Sequence, residues 1–478
     1  MVDPATRAAV LAPAKLVPFL ITLGIGVIIW FMPPPEGVTQ EAWHLLAIFV
    51  ATIVGIITKP LPMGAVAIIG VAATALTGTL KIGDALSGFG NNTVWLIGVA
   101  FFVSRAVIKT GIGARIALHF MKRFGKKTLG LSYGLGLADL VLAPAMPSNT
   151  ARAGGVLMPL LRSVSLAYDS DPANGTQRRV GAFMMLNAFQ INIITSAMFM
   201  TAMAANPLAA KLAGDAGVEV TWGGWFLAAL VPAIVSLIVI PLFVYKVYPP
   251  EVKETPQAAQ MASDQLGEMG AMKPGEWLTL AVIALLLCLW IFSKNLGVDA
   301  TTAALVGLGL LLLTGVLTWQ DILRETSAWD TIVWFAALVM MATQLNKLGF
   351  IPWFGESVGA QVQGMEWTVA FLILGLVYFY SHYLFASQTA HISAMYAPFL
   401  AVALAVGTPP VLAALALAYF SNLFSSLTHY ANGPAPVVFG TGYVSMGAWW
   451  AVGGAVSVLN IIIWVGVGSI WWDVIGLM

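Results

Sequence analysis

The sequence predicts an all-α polytopic membrane protein of about eleven transmembrane helices plus two re-entrant hairpins, arranged as an inverted repeat. Three observations carry this expectation. Of 478 residues, 59% are apolar and only 9% charged, against about a quarter charged in soluble chains, so lipid must cover much of the surface. Apolar runs of spanning length recur along the chain, and their unbroken character excludes a β-barrel. The two halves also align with one another at a shift of about 238 residues.

The first apolar run, Leu16 to Met32, ends in Pro33-Pro34-Pro35 without a small-residue cleavage site, so it reads as a span rather than a removed leader. Further spans begin near His44, Leu61, Val94, Val180 and Trp222, and then near Glu276, Ala300, Thr331, Val411 and Trp449. Residues 128–165 and 367–405 are each long enough for two short helices with polar residues between them. They read as re-entrant hairpins, whose non-helical tips are tolerated at membrane depth only against protein or a water-filled cavity. The hydrophilic stretch 248–274 is a cytoplasmic linker. The chain thus divides into an N-terminal segment with the first span (1–40), a unit 41–247, the linker, and a unit 275–478.

With the N-terminus cytoplasmic, all but five of the 22 Lys and Arg fall on the cytoplasmic side. The exceptions are Lys81, Lys211, Lys294 and Lys347 opposite and Arg152 within the membrane, which gives an N-in, C-out orientation. Arg115, Lys122, Arg123, Lys126 and Lys127 sit on an amphipathic stretch expected along the cytoplasmic interface. A net charge of +1 with dispersed cations gives no nucleic-acid partner. A single cysteine, Cys288, excludes disulfides within the chain and Cys-based metal clusters. His44, His119 and His382 look isolated, no spacing suggests a metal site, and no cofactor is expected.

In the repeat, Leu76-Thr77-Gly78 falls on Leu313-Thr314-Gly315, Asp84 on Asp321, Lys109 on Lys347 and Gly111 on Gly349. The hairpins coincide too, with Ser148, Thr150, Ala151 and Pro159 on Ser387, Thr389, Ala390 and Pro398. Each unit holds five spans plus a hairpin, and an odd number inverts the second unit. Inverted repeats with broken helices meeting near the midplane are the signature of secondary transporters, and no Walker motif for ATP coupling is present.

The first tip reads Pro144-Ala-Met-Pro-Ser148-Asn149-Thr150-Ala151-Arg152, the second Phe385-Ala-Ser387-Gln388-Thr389-Ala390-His391. In both a Ser is placed to cap the returning arm, and two helix N-termini converging at the midplane suit an anion with two negative ends. The hydroxyls and the Asn149 and Gln388 amides add donors for carboxylates. Arg152 and His391 each stand one helical turn inward from the Ser. An Arg at membrane depth costs roughly 2.5 to 3.5 kcal/mol and needs a partner or a cavity. Two readings stand: Arg152 and a protonated His391 supply two charges for a dianion, or Arg152 pairs with Asp139 and His391 is a neutral core histidine. Two spans look interrupted opposite the tips, by Asn206-Pro207 and by Asn432-Gly433-Pro434. Asn206, Thr428, Asn432 and Gly433 would complete the cavity, whereas His429 and Asn187 read as packing.

At Ser148-Asn149-Thr150 and Ser387-Gln388-Thr389 the chain resembles the divalent anion/sodium symporter family, whose members carry Ser-Asn-Thr at each of two hairpin tips. Phe385-Ala-Ser-Gln-Thr-Ala-His391-Ile-Ser-Ala394 looks like its exchanger branch, which includes bacterial citrate/succinate and tartrate/succinate antiporters and plastid 2-oxoglutarate/malate translocators. The Gln at 388 departs from the family Asn. The resemblance implies a homodimer with a fixed scaffold and an elevator-like transport domain, in a bacterial inner membrane. It also implies di- or tricarboxylates as substrates, and fixed positive groups where sodium-coupled members hold sodium beside each tip. Obligate antiport is expected, the alternative being a sodium- or proton-coupled symporter. A membrane-embedded enzyme would need a nucleophile or metal constellation, and the sequence offers none, so no catalytic residues are assigned.

Overall fold

The structure, a computed structural model, describes residues 14–360 and 365–478. The start of the N-terminal segment, residues 1–13, lies outside the described residues. Among those described, the fold is helical throughout, with one isolated bridge between Lys127 and Glu254 and no strand.

Each of the eleven expected spans is a helix, from Leu16–Phe31 to the final run Met446–Val474. Among the described residues nine helices, the hairpin arms Thr128–Ala145 and Trp367–Leu384 included, are long and apolar enough to cross a membrane. Met63–Leu76 and Ala300–Leu313 are shorter, at 14 residues each. At about 1.5 Å per residue each covers about 21 Å of a ~30 Å hydrocarbon core. Both continue through a Thr-Gly turn into a short second helix, Ile82–Ala85 and Trp319–Arg324.

The two units repeat element for element. Asn92–Thr110 answers to Thr326–Lys347, the arm Thr128–Leu142 to Trp367–Tyr380, Gly181–Met198 to Pro410–Leu423, and Asn206–Asp215 to Pro434–Phe439. Even the turns agree. Gly111 and Gly349 end their helices at φ +80° and +83°, a left-handed conformation that glycine adopts without steric cost. Each then leads into a short amphipathic helix, Ile112–Phe124 and Phe350–Gly359.

Contacts between distant segments agree with the alternating threading. On one face Lys109 Nζ meets Asp321 Oδ2 at 2.7 Å and Arg115 Nε meets Glu276 Oε1 at 2.6 Å. The Lys109 ammonium holds the Asp321 carboxyl well below the usual carboxylate range. On the other face Trp353 Nε1 donates to the Glu36 carbonyl at 2.9 Å and Asn346 Nδ2 to the Asp215 carbonyl at 2.7 Å.

Two details differ from the sequence expectation. Arg115 does not lie along the interface with its basic neighbours. It is buried against Glu276 and also donates to the Gly270 carbonyl at 2.8 Å, because it falls on the inner face of helix Ile112–Phe124 while Lys122 and Arg123 fall outside. The linker 248–274 also contains a helix, Pro256–Met269, which packs against that same amphipathic helix.

Packing sorts the helices into two groups. Gln40–Thr58, Met63–Leu76, Asn92–Thr110, Ala300–Leu313 and Thr326–Lys347 pack with one another. The hairpins pack mainly with Gly181–Met198, Trp222–Val247 and Pro410–Leu423, and meet the first group only in smaller contacts with Gln40–Thr58 and Asn92–Thr110.

Candidate functional site between the hairpin tips

Each hairpin reaches its tip in the same way. The outgoing arm tightens into a 3₁₀ turn, Ala143–Ala145 or Ser381–Leu384, and an extended residue follows, Met146 or Phe385. Ser148 Oγ then accepts the Ala151 N–H at 3.1 Å, and Ser387 Oγ the Ala390 N–H at 3.3 Å. Both returning arms contain a wide π-helical stretch, Ala151–Leu157 in the first and, after an α-helical turn Gln388–His391, Ile392–Tyr396 in the second, each shortly before a proline, Pro159 or Pro398. A proline offers no N–H to the carbonyl one turn earlier, so the ladder there loosens.

Between the tips lies a cavity of about 650 Å³, within the range of small-molecule sites. Eight of the twelve residues singled out from the sequence line it: Ser148, Asn149 and Thr150, Ser387, Gln388 and Thr389, with Asn432 and Gly433 from the broken helix. The fit at the centre is close, since a Cβ placed on Gly433 would come within 2.1 Å of Thr150 Oγ1. Asn149 spends its Oδ1 on the Thr150 N–H at 2.9 Å, and its buried Nδ2 has no partner. Asn432 likewise uses Oδ1 to cap the Ala435 N–H at 3.0 Å. The cavity therefore presents amide N–H groups and helix starts, an arrangement that receives acceptor-rich, negatively charged groups.

Arg152, His391, Asn206 and Thr428 do not line it. Of the two readings of Arg152, the structure follows the ion pair with Asp139 rather than the free cation. It is fully buried, with Nε on Asp139 Oδ1 at 3.1 Å, Nη1 on the carbonyls of Met146 and Ala202 at 2.6 and 2.5 Å, and Nη2 on Ser196 Oγ at 2.9 Å. The side chain turns back along its own hairpin because Asp139, which also accepts from Asn192 and the Thr195 hydroxyl, is a buried carboxylate in need of a counter-charge. His391 is stacked between Phe385 and Phe424, at 4.6 and 4.5 Å between ring centroids. Its Nδ1 lies 3.0 Å from His382 Nδ1, and His382 Nε2 donates to the Ala431 carbonyl at 3.0 Å. His382 is thus no isolated residue, as the sequence suggested, but the partner of His391 across the hairpin.

The amides are also more committed than their positions implied. Gln388 Nε2 donates to the Ser421 carbonyl at 2.6 Å, which leaves Oε1, an acceptor, in place of the expected donor. Asn206 donates to the carbonyls of Ser196 and Phe199 at 2.8 and 3.0 Å and accepts from Asn422 Nδ2 at 2.8 Å. Its amide satisfies backbone freed by the Asn-Pro break and joins the two units. Thr428 is buried, with its hydroxyl unpartnered. Each tip is consequently tied by a basic side chain to the broken helix of its own unit, through Arg152 to Ala202 and through His391 and His382 to Ala431.

Two inverted units whose hairpin tips and broken helices line a common cavity define the architecture of a secondary transporter. Residues 13–478 match the family described as the sodium:sulfate symporter transmembrane region, and the chain belongs to that family, the divalent anion/sodium symporters. It is 60% identical to the malate transporter candidate YflS of Bacillus subtilis (strain 168), over 97% of each chain. It is 52% identical to the chloroplastic dicarboxylate transporter 1 of Spinacia oleracea, over 97% of this chain and 82% of that one. Identity to the inner membrane protein YbhI of Escherichia coli (strain K12) is 39%, over 95% and 97%. The YdaH transporter of Alcanivorax borkumensis, whose crystal structure was described as having an unusual topology, shares the fold at a TM-score of 0.54 and 13% identity, over 96% and 97%.

Proposed function

We propose that this protein exchanges dicarboxylates one for one across a bacterial inner membrane, without sodium, using the cavity between the tips as its substrate site. The observation that carries the proposal is the cavity itself, lined by both capped tips and by Asn149, whose buried Nδ2 has no partner. The names of the relatives add weight, since two of those described above refer to malate or dicarboxylate transport. An acidic product such as malate offers acceptors to every one of these donors.

Independence from sodium is supported by Arg152. Its Nη1 lies between carbonyls of the tip and of the broken helix, the place from which an alkali cation would bridge the two. A guanidinium is permanently charged and permanently attached. No ion then has to arrive before the tip is fastened.

The case for obligate exchange rests on unpaired donors rather than on the two free cations of the first sequence reading, because Asp139 already cancels Arg152. Each buried donor left without an acceptor costs about 1–3 kcal/mol. A loaded site satisfies these groups, whereas an empty one would carry them past apolar helices. About 1.4 kcal/mol slows that return tenfold. In an elevator-like movement the hairpin-bearing group of helices would carry the site along the other group, with a second copy of the chain steadying the latter.

Proteoliposomes preloaded with malate should take up labelled malate, and vesicles lacking internal dicarboxylate should take up almost none, with or without a sodium gradient. Sodium-driven uptake into empty vesicles would select symport instead. Asn149→Ala should weaken malate binding about ten- to a hundredfold, as expected for one lost hydrogen bond to a charged group, of about 1.5–3 kcal/mol; unchanged binding by calorimetry would remove Asn149 from the site.

A further inference from the structure

We infer that Lys59, with Lys15 beside it, is the fixed positive charge that a dianion meets on entering the cavity from the membrane face where helix Leu16–Phe31 begins. The inference rests on the proposed dicarboxylate exchange and adds to it a residue, a side and a direction.

With Arg152 neutralised and His391 turned inward, the described lining of the cavity holds two cationic side chains, Lys15 and Lys59, and no acidic one. Both are exposed, and neither forms an ion pair with a described residue. They share one rim, because the Lys15 N–H donates to the Pro60 carbonyl at 3.0 Å and ties the start of the first helix to the Lys59-Pro60 turn.

The backbone supplies an independent observation. Lys59 ends helix Gln40–Thr58 at φ +54°, ψ +54°, and among the described residues other than glycine only Asp169 shares a positive φ. Glycine is the low-cost residue for a left-handed helix end. The proline that follows, Pro60, disfavours helical conformations and pushes its predecessor towards extended backbone. A lysine held there against both preferences marks a position where the side chain is what the site requires. A low-dielectric cleft of one sign raises the local concentration of an oppositely charged ligand, and salt screens the effect.

Lys15 precedes helix Leu16–Phe31 and Lys59 ends helix Gln40–Thr58, and these two helices pack on one another. The second of them belongs to the first group and meets the second hairpin only in small contacts along Gln388–Tyr396, whereas Ser148–Thr150 and Ser387–Thr389 belong to the hairpins. Alternating access therefore brings the lysines and the tips together in one state only. Their charge should act on one side of the membrane.

The test measures malate exchange in vesicles sorted by accessibility of an N-terminal tag, for wild type, Lys59→Gln, Lys59→Arg and Lys59→Gly, with Lys15→Gln alongside. On the N-terminal face, Lys59→Gln should raise KM about tenfold and flatten its rise with ionic strength, Lys59→Arg should keep most of the wild-type value, and the opposite face should be unchanged. Lys59→Gly relieves the backbone and should match or exceed wild-type thermal stability while showing the same one-sided KM defect. An unchanged KM on that face, or an equal rise on both faces, would overturn the inference, since a lysine that only anchors the helix end has no reason to act from one side. Absence of exchange by the wild type would instead count against the dicarboxylate reading on which it rests.

Discussion

Gly433→Ala should lower malate exchange about a hundredfold while leaving the protein folded, and Thr150→Ala should remove most of that additional loss. The reasoning is steric. A Cβ at position 433 would lie 2.1 Å from Thr150 Oγ1 and 3.4 Å from its Cβ, and a separation near 2 Å is not sustained between heavy atoms. The hydroxyl can escape by rotation, but Thr is stiff at χ1 and the rotation aims the group away from its present direction. Otherwise the tip and the broken helix move apart. Either outcome displaces a group lining the cavity by about 1 Å, which can cost ~10²-fold at a reacting or binding centre. In Gly433→Ala/Thr150→Ala the obstructing hydroxyl is gone, so the double variant should resemble Thr150→Ala alone. That non-additivity is the signature of direct contact. Strictly additive losses across the four proteins would mean that Gly433 matters for some reason other than Thr150.

The spans were legible because lipid imposes a strong compositional demand that tertiary packing does not override, and the repeat was legible because the same turns recur, as at Gly111 and Gly349. The tips were legible through their paired Ser and Thr, and Ser148 and Ser387 do cap the returning arms. Side-chain direction was not. A position four residues after Ser148 is compatible with a side chain facing the cavity or one facing the other arm, and only the burial of Asp139, 13 residues earlier, decides between them. The pairing of His382 with His391 depends on the closure of a hairpin, which residue spacing along one helix does not reveal. Helix Pro256–Met269 was hidden by its polarity, since its partner is the amphipathic helix Ile112–Phe124 rather than the apolar core. Lys59 reads in sequence as one more cation at a span end, and its left-handed backbone is the opposite of what a following proline suggests.

Arg152→Ala should destabilise the protein by roughly 3–5 kcal/mol, the usual cost of stranding one partner of a buried ion pair. Asp139→Asn should be damaging in the same way, because it strands the guanidinium instead. A substrate ligand would behave differently, since its loss would abolish transport in a stable protein and Asp139→Asn would matter little. The double variant Arg152→Ala/Asp139→Asn removes both charges and should be more stable than Arg152→Ala, although the carbonyls of Met146 and Ala202 still lose their donor. Thermal unfolding of the four purified proteins separates these cases, and a fully stable Arg152→Ala would refute the internal clamp. The geometry leads one step further. Removing the guanidinium leaves the Asp139 carboxylate, Ser196 Oγ and the carbonyl oxygens of Met146 and Ala202 grouped around the space it filled. That is a set of hard oxygen donors with one negative charge, the kind of shell that hard cations occupy. Sodium chloride should accordingly stabilise Arg152→Ala more than choline chloride at equal ionic strength, whereas the wild type should respond to both alike. Equal responses in the variant would show that the space collapses without its guanidinium and that Arg152 holds no cation's place.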